Sequence, residues 1–462
     1  MSSRAEGVDS QPPQLGNEKI QPSDPWLPII LSLDGGGVRG LSSLIILHEI
    51  MRAVQTLECS DALPLPCNYF DFMIGTSTGG LIAIMLGRLR MSVEECIKEY
   101  LRLSNRIFRP KRYIRAYSAK KFRQAVEEVV AKQCGCHGNP RSCTHNHHLR
   151  QYDYAERYDT ANRDIINKTC RVEKSKSEGQ NRADVPYLFR SYDHDARDWK
   201  RDLNPKKLNR AELKIVDACR ATTAAPFYFP ALKIGGRRYI DGAIHGNNPS
   251  VYAWAEGVLM AGEPGCPPKE TPNALISIGT GKKKEYPRFG FLNLLRHIKG
   301  LVVDVEKPHE NMEQTVAIVG GFYKRFNVST SDEGLGLDGL STIRLDSCNK
   351  SKRKRFPWSE QKQRTVEDND LTSIETKARE KRKGGYKPHK YQYKTLEKIR
   401  DRTLDYIRPP TSTNEVTADI NECAQKLYDY SRRRRENDPI RWEAIRQDPN
   451  PAVPVQSVPA AS

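Results

Sequence analysis

Apolar residues along the chain come in short bursts that end in glycine. Residues 29–33 read Ile-Ile-Leu-Ser-Leu and stop at Asp34. Gly35-Gly36-Gly37-Val38-Arg39-Gly40 follows, and residues 41–51 then carry apolar positions at helical spacing. The pattern predicts strand, glycine turn and helix. The same order returns at residues 69–74, 75–80 and 81–89. Repeated units of this kind predict an α/β fold with a mainly parallel central sheet and helices packed on it. Further on, apolar spacing recovers at residues 213–223. Short strands are predicted at residues 238–240, running into Asp241-Gly242-Ala243, and at residues 274–278, ending in Gly279-Thr280-Gly281.

Between and beyond these segments the pattern weakens. Residues 1–27 are rich in Ser, Gln and Pro and read as a disordered tail. Residues 28–346 hold the periodic segments, interrupted by a basic, aromatic and poorly periodic insert at about 104–210. Residues 347–449 read as a basic, partly disordered C-terminal region, and residues 450–462 as a second tail. From Ser347 to the end there are 26 Lys and Arg against 17 Asp and Glu, half of the whole chain's net +18. Such a charge favours anionic partners, and an anionic membrane surface fits it. Nucleic acid fits less well, because no stacking platform accompanies the basic runs at residues 352–355 and 432–435.

No stretch reaches the roughly 18 consecutive apolar residues of a spanning helix, and the N-terminal residues have no apolar core of the leader type. The expectation is a cytoplasmic, peripherally membrane-associated protein. The 11 Cys, an odd number over 462 residues, then read as reduced thiols, and the sequons at Asn167, Asn327 and Asn349 as chance matches.

Three short motifs could carry chemistry. Gly75-Thr76-Ser77-Thr78-Gly79 lies between a predicted strand and a predicted helix. A sharp turn there would lift the Ser77 hydroxyl above the sheet, and the small residues on either side allow the tight backbone packing this needs. Asp34 and the glycines after it fit two readings. One is a dinucleotide-binding turn, with Glu58 as the downstream acid. It lacks a second repeat of the nucleotide-binding unit. The other is a cradle of N–H groups for a developing oxyanion, where one donor is worth about 3–4 kcal/mol of barrier. Asp241-Gly242-Ala243 puts a carboxylate at a strand end and gains weight only beside the other two.

Together these motifs resemble the patatin-like phospholipase family: Asp-Gly-Gly-Gly-x-Arg-Gly, then Gly-x-Ser-x-Gly, then Asp-Gly-Ala before Asn247-Asn248-Pro249. The runs at residues 220–226 and 277–281 are also similar to that family. The resemblance covers roughly residues 29–330, with a divergent middle, and implies a three-layer sandwich. It implies Ser77 as nucleophile and Asp241 as base, with no catalytic histidine. The amides of Gly36 and Gly37 would form the oxyanion hole, with Val38 or Arg39 assisting. The family cleaves fatty-acyl esters of phospholipids, lysophospholipids, galactolipids or triacylglycerols without calcium or another cofactor, so a membrane or micellar glycerolipid is the expected substrate. A carboxylate with a pKa of about 4 is a weak base, and burial in a dry acyl pocket strengthens it.

Other readings stay open at this level. A histidine triad through His245 or His48 is the competing mechanism. An acyltransferase would use the same acyl-Ser77 intermediate, and a lipid-binding scaffold would use none of it. Cys134, Cys136, Cys143 and His145, with other histidines nearby, could hold a structural zinc ion, although Cys-x-Cys is tighter than usual ligand spacing.

Overall fold

The computed structural model describes residues 26–107, 117–133, 164–174, 181–191, 213–226, 228–234, 236–261, 270–281, 305–328, 390–409 and 415–446. Its eight strands are β1 Ile29–Leu33, β2 Phe72–Thr76, β3 Asp164–Lys174, β4 Asn181–Arg190, β5 Leu232–Ile234, β6 Arg237–Asp241, β7 Ala274–Ile278 and β8 Phe322–Phe326. They form one sheet in the order β5-β6-β3-β2-β1-β7-β8, with β4 also paired to β3. From β3 to β8 neighbouring strands are parallel. β4 and β6 run antiparallel to β3, and β5 antiparallel to β6.

Alternation along the strands fixes the layers. Successive side chains point to opposite faces of a sheet. Leu31, Leu33, Met73 and Ile276 join one core cluster; Ile30, Phe72, Ile74 and Leu275 join another. On the first face lie α1 Gly40–Leu57, α3 Val93–Ile107, α4 Ala119–Gln133 and α5 Ile215–Thr222. On the second lie α6 Ser250–Ala261, with Ala253 and Trp254, and α7 Lys307–Val319, with Met312. Helices on both faces of a central sheet bear out the α/β fold that the repeated units predict and give the three-layer sandwich that the family resemblance implies. Every residue of β1, β2 and β7 is buried, as a parallel sheet covered on both sides requires.

Some boundaries move. β2 starts at Phe72 rather than residue 69, because the 3-10 turn Pro66–Asn68 captures the amides of Tyr69 and Phe70 on Pro66 O. The following helix, α2, starts earlier, at Thr78–Ala83, and continues as the π-helical turn Ile84–Arg88. The insert read as poorly periodic supplies β3, which extends the parallel core, and β4, which pairs antiparallel to it. The runs 1–25 and 447–462 and residues 109–115 lie outside the described residues.

The basic C-terminal region contains α8 Lys390–Ile407, α9 Glu415–Asn437 and α10 Pro439–Arg446. α8 and α9 pack on α1 through a stripe at helical spacing: Leu396, Ile399, Thr403 and Ile407, then Ile420, Cys423, Ala424, Leu427 and Tyr430, all buried. Thr403 Oγ1 meets Ser42 Oγ at 2.9 Å. Arg434, inside the basic run at residues 432–435, is 2% exposed. It forms a two-pronged pair with Asp71, Nη1 to Oδ1 at 2.9 Å and Nη2 to Oδ2 at 2.7 Å, and also donates to Leu27 O. Asp71 Oδ2 in turn accepts the Ile29 N–H at 2.9 Å. Arg434→Ala would strand a buried carboxylate, and we expect it to cost about 3–5 kcal/mol of unfolding free energy in urea titrations. The double variant Asp71→Asn with Arg434→Met should recover much of that loss.

Candidate active site

The site begins where two strands end. Thr76, the last residue of β2, is in register with Lys168 of β3. Asp241, the last residue of β6, is in register with Thr169, the next residue of β3. β4 occupies the opposite edge at both positions, through Leu188 and Tyr187. β2 and β6 therefore approach each other head-on along one edge of β3. Their meeting puts Ser77 and Asp241, 164 residues apart in sequence, in direct contact: Ser77 Oγ donates to Asp241 Oδ2 at 2.6 Å. That is the length of a charge-assisted O–H···O⁻ bond. The other carboxylate oxygen accepts the Ala243 N–H at 2.9 Å, and Asp241 is 2% exposed.

Ser77 holds φ 54° and ψ −123°. A non-glycine residue in such a conformation costs on the order of 1–3 kcal/mol and persists only where its surroundings dictate it. Here they do. The Ser77 N–H donates to Thr222 Oγ1, at the end of α5, at 2.9 Å. A methyl group on Gly75 would lie 2.2 Å from the carbonyl carbon and oxygen of Gly79, and one on Gly79 2.3 Å from Leu33 O. The turn closes because both positions lack a side chain.

The glycine turn after β1 faces this elbow. Asp34 donates its N–H to Ile278 O at 3.1 Å, and its carboxylate is buried against Arg325 of β8, Nη2 to Oδ2 at 2.7 Å. Burial alone would lower the Arg325 pKa, but Asp34 beside it more than reverses this and holds it raised. Gly35 O accepts from Asn247 Nδ2 and Thr280 Oγ1. The Gly36 N–H donates to Thr78 Oγ1 at 3.1 Å, so this amide, read from sequence as an oxyanion donor, already has an acceptor in the protein. Gly37 turns at φ 56°, with nothing within 4 Å of where a Cβ would lie. Val38 and Arg39 continue it as a 3-10 turn into α1 at Gly40, and Arg39, buried, donates to Gly281 O. The Tyr100 hydroxyl donates to Gly37 O.

The remaining candidates fall elsewhere. Gly242 and Ala243 open a 3-10 turn that ends at Ile244, and His245 after it is exposed. His48 is buried on α1, Nδ1 3.7 Å from Glu49 and Nε2 3.8 Å from Glu94. The Ser77–Asp241 bond is direct, with no imidazole between. Cys134, Cys136, Cys143 and His145 lie outside the described residues. Four contributors escaped the sequence reading as individuals: Thr222, Asn247, Thr280 and Arg325, while Thr78 is read there as part of the Gly75–Gly79 motif. Thr222, Asn247 and Thr280 sit inside runs that resemble the family, which is the only signal pointing to them.

Residues 31–254 match the family model Patatin-like phospholipase. The chain carries a patatin-like phospholipase domain. It is similar to human calcium-independent phospholipase A2-gamma, 27% identical over 345 residues, covering 73% of this chain and 39% of that protein. It is similar to Arabidopsis thaliana phospholipase A I, 25% identical, covering 67% of this chain and 25% of that protein. Patatin-like protein 4 of the same plant is 28% identical, covering 60% of this chain and 64% of that protein. The chain thus spans well under half of the length of the first two relatives. The crystal structure of VipD from Legionella pneumophila aligns with 89% of this chain and 77% of its own, at 10% identity and a TM-score of 0.30, a likeness too loose to bear on the patatin-like domain. The three motifs lie within the matched residues; Thr280 and Arg325 lie beyond them.

Two expectations test the frame of the patatin-like site. Gly79→Ala should destabilise the domain by about 3 kcal/mol or more in thermal or urea unfolding, since its methyl meets backbone. Gly236→Ala, at φ 79° with nothing within 4 Å, should cost only about 1–2 kcal/mol. His48 gives a pH test. Burial would lower its pKa, but Glu49 and Glu94 outweigh that and raise it. Protonated His48 therefore adds stability that is full below its unfolded pKa of about 6.5 and fades as pH rises through the folded value. The melting-temperature gap between the native protein and His48→Gln should be larger at pH 5.5 than at pH 9.

Proposed function

We infer that this domain is a serine acyl hydrolase that cleaves fatty-acyl esters of glycerolipids, of the phospholipase A or lysophospholipase type, without calcium. The observation that carries the reading is the 2.6 Å bond from Ser77 Oγ to the buried Asp241 carboxylate. It supplies a nucleophile and its base in one contact. The names of the calcium-independent phospholipase A2-gamma relatives support the substrate class.

In the proposed reaction Ser77 Oγ attacks the ester carbonyl carbon as its proton passes to Asp241 Oδ2. The carbonyl electrons move onto oxygen, and the N–H groups of Gly37 and Val38 stabilise that charge, because Gly36 is already engaged by Thr78. Collapse breaks the ester C–O bond, and the leaving alkoxide takes the proton from Asp241. Water then adds to the acyl-serine, giving its proton to Asp241. The second collapse frees the fatty acid and returns the proton to Ser77 Oγ. Among the described residues no helix is long and apolar enough to cross a membrane.

Ser77→Ala and Asp241→Asn should each lower turnover of a lysophospholipid or short fluorogenic ester by about 10⁴-fold or more, with near-native melting. Retained turnover in purified Ser77→Ala would overturn the reading. His245→Gln and His48→Gln should keep full turnover near neutral pH. The same assay across phospholipid, lysophospholipid, galactolipid and triacylglycerol defines the substrate, and adding an alcohol acceptor separates hydrolysis from acyl transfer.

A further inference from the structure

The peptide joining Gly35 to Gly36 is gripped from every side. Its oxygen accepts two hydrogen bonds, from Asn247 Nδ2 at 2.7 Å and from Thr280 Oγ1 at 2.8 Å. Two donors use both lone pairs of a carbonyl. Its N–H donates to Thr78 Oγ1 at 3.1 Å. Asn247, Thr280 and Thr78 are all buried, so water cannot replace these partners cheaply. Space is used up as well. A methyl on Gly35 would lie 2.4 Å from Asn247 Oδ1 and 2.8 Å from Ser77 Cβ, and one on Gly36 2.3 Å from Thr280 Oγ1. The peptide can neither rotate nor slide. Gly37 follows, and the leading N–H groups of the 3-10 turn it opens have no acceptor within that turn.

We propose that Thr280 and Asn247 are positioning residues for acyl hydrolysis: by fixing the Gly35–Gly36 peptide they aim the Gly37 and Val38 N–H groups at the ester oxygen as it becomes negative. Neither side chain touches the reacting atoms. The proposal rests on the Ser77–Asp241 reading above. It assigns a task to the Gly279-Thr280-Gly281 loop, which lies outside residues 31–254, and to the first asparagine of the Asn247-Asn248-Pro249 run. Thr280 is suited to both jobs, since its hydroxyl holds the Gly35 carbonyl while its methyl and Cβ close the space beside Gly36.

The test compares Thr280→Val, which removes the hydroxyl and keeps the branched shape, with Thr280→Ser, which keeps the hydroxyl. Ser77→Ala is the control, and the substrate is a soluble short-chain ester. Thr280→Val should lower kcat by roughly 10- to 100-fold with KM unchanged, the scale of a misaimed oxyanion donor. Thr280→Ser should stay near the native kcat. Inhibition by a fatty trifluoromethyl ketone, whose serine adduct carries the same oxyanion, should weaken in Thr280→Val by the same factor as kcat. A role in stability alone would lower the melting temperature and leave this parallel absent. If Thr280→Val fails to fold, Asn247→Asp, which turns the donor to Gly35 O into an acceptor, is read the same way. Native kcat in a folded Thr280→Val, or a change confined to KM, overturns the proposal and leaves the dyad standing. Turnover surviving in Ser77→Ala overturns the dyad itself, whatever Thr280 does.

Discussion

The site exists because β2 and β6 stop at adjacent residues of β3, from opposite directions and on the same edge. Neither strand is long, and neither carries the other's sequence information; β3 is the ruler that both are measured against. The pairing of Thr76 with Lys168 and of Asp241 with Thr169 brings the Ser77 hydroxyl and the Asp241 carboxylate together where the two strands end. Side chains alternate faces along a strand, so a slip of one residue in β6 would turn the Asp241 carboxylate to the other side of the sheet. The Ser77–Asp241 contact thus depends on the register of a strand that contributes neither residue.

Given that meeting point, the rest of the site consists of ways to hold a strained turn without side-chain bulk. Ser77 is kept at positive φ by a threonine behind it and by two glycines whose hydrogens alone fit between neighbouring backbones. The glycine turn opposite is kept in place by polar groups instead. Asp34 and Arg325 form a fully buried pair. Such a pair returns little net stability once desolvation is counted, but losing either partner is expensive, so it specifies a single arrangement rather than a strong one. Thr280, Asn247 and Thr78 extend the same logic to the peptide that follows. An oxyanion site gains most from donors that need not reorganise during the reaction, and buried, fully partnered neighbours are the means of keeping them still.

How much of this the sequence discloses follows from physics at each point. The strands before Asp34 and Ser77 are visible because a doubly covered parallel strand must be almost wholly apolar, and the turns after them because only glycine fits. β7 is visible for the same reason, at the residues predicted. β3 and β4 are hidden because Asp-Ile-Ile-Asn-Lys-Thr-Cys-Arg-Val-Glu-Lys mixes charge into every few residues and lies in a basic insert. α8 and α9 are hidden differently. Their apolar stripe is present at helical spacing, but Arg, Lys, Asp and Glu fill the other faces, so charge dominates the composition and masks the period. Arg434 is the sharpest case: one arginine of four in a row is buried; it continues the stripe of Ile420, Cys423, Leu427 and Tyr430 at helical spacing, but its partner Asp71, 363 residues earlier, is invisible in the local sequence. The engagement of Gly36 by Thr78 is likewise invisible, because it depends on how two loops face each other.

The family match ends at residue 254, yet the physical unit around the site does not. β1 and β2 carry the glycine turn and Ser77 at their C-terminal ends. Their starts are tied together by Asp71, whose carboxylate accepts from Ile29 and is neutralised by Arg434 on α9. At about 3.3 Å per residue, the six steps from Asp71 to Ser77 put that clamp roughly 20 Å from the serine. On the neighbouring strands, Thr280 follows β7 and Arg325 belongs to β8, while Lys324 beside it pairs with Asp419 and Glu422 of α9. Both ends of the two central strands are thus secured by residues from the last 190 positions of the chain. A fragment ending at residue 254 would keep the hydroxyl, the carboxylate and the glycines, but would lose Arg325 from Asp34, Thr280 from Gly35 and Arg434 from Asp71. It would hold the chemical groups without the forces that aim them.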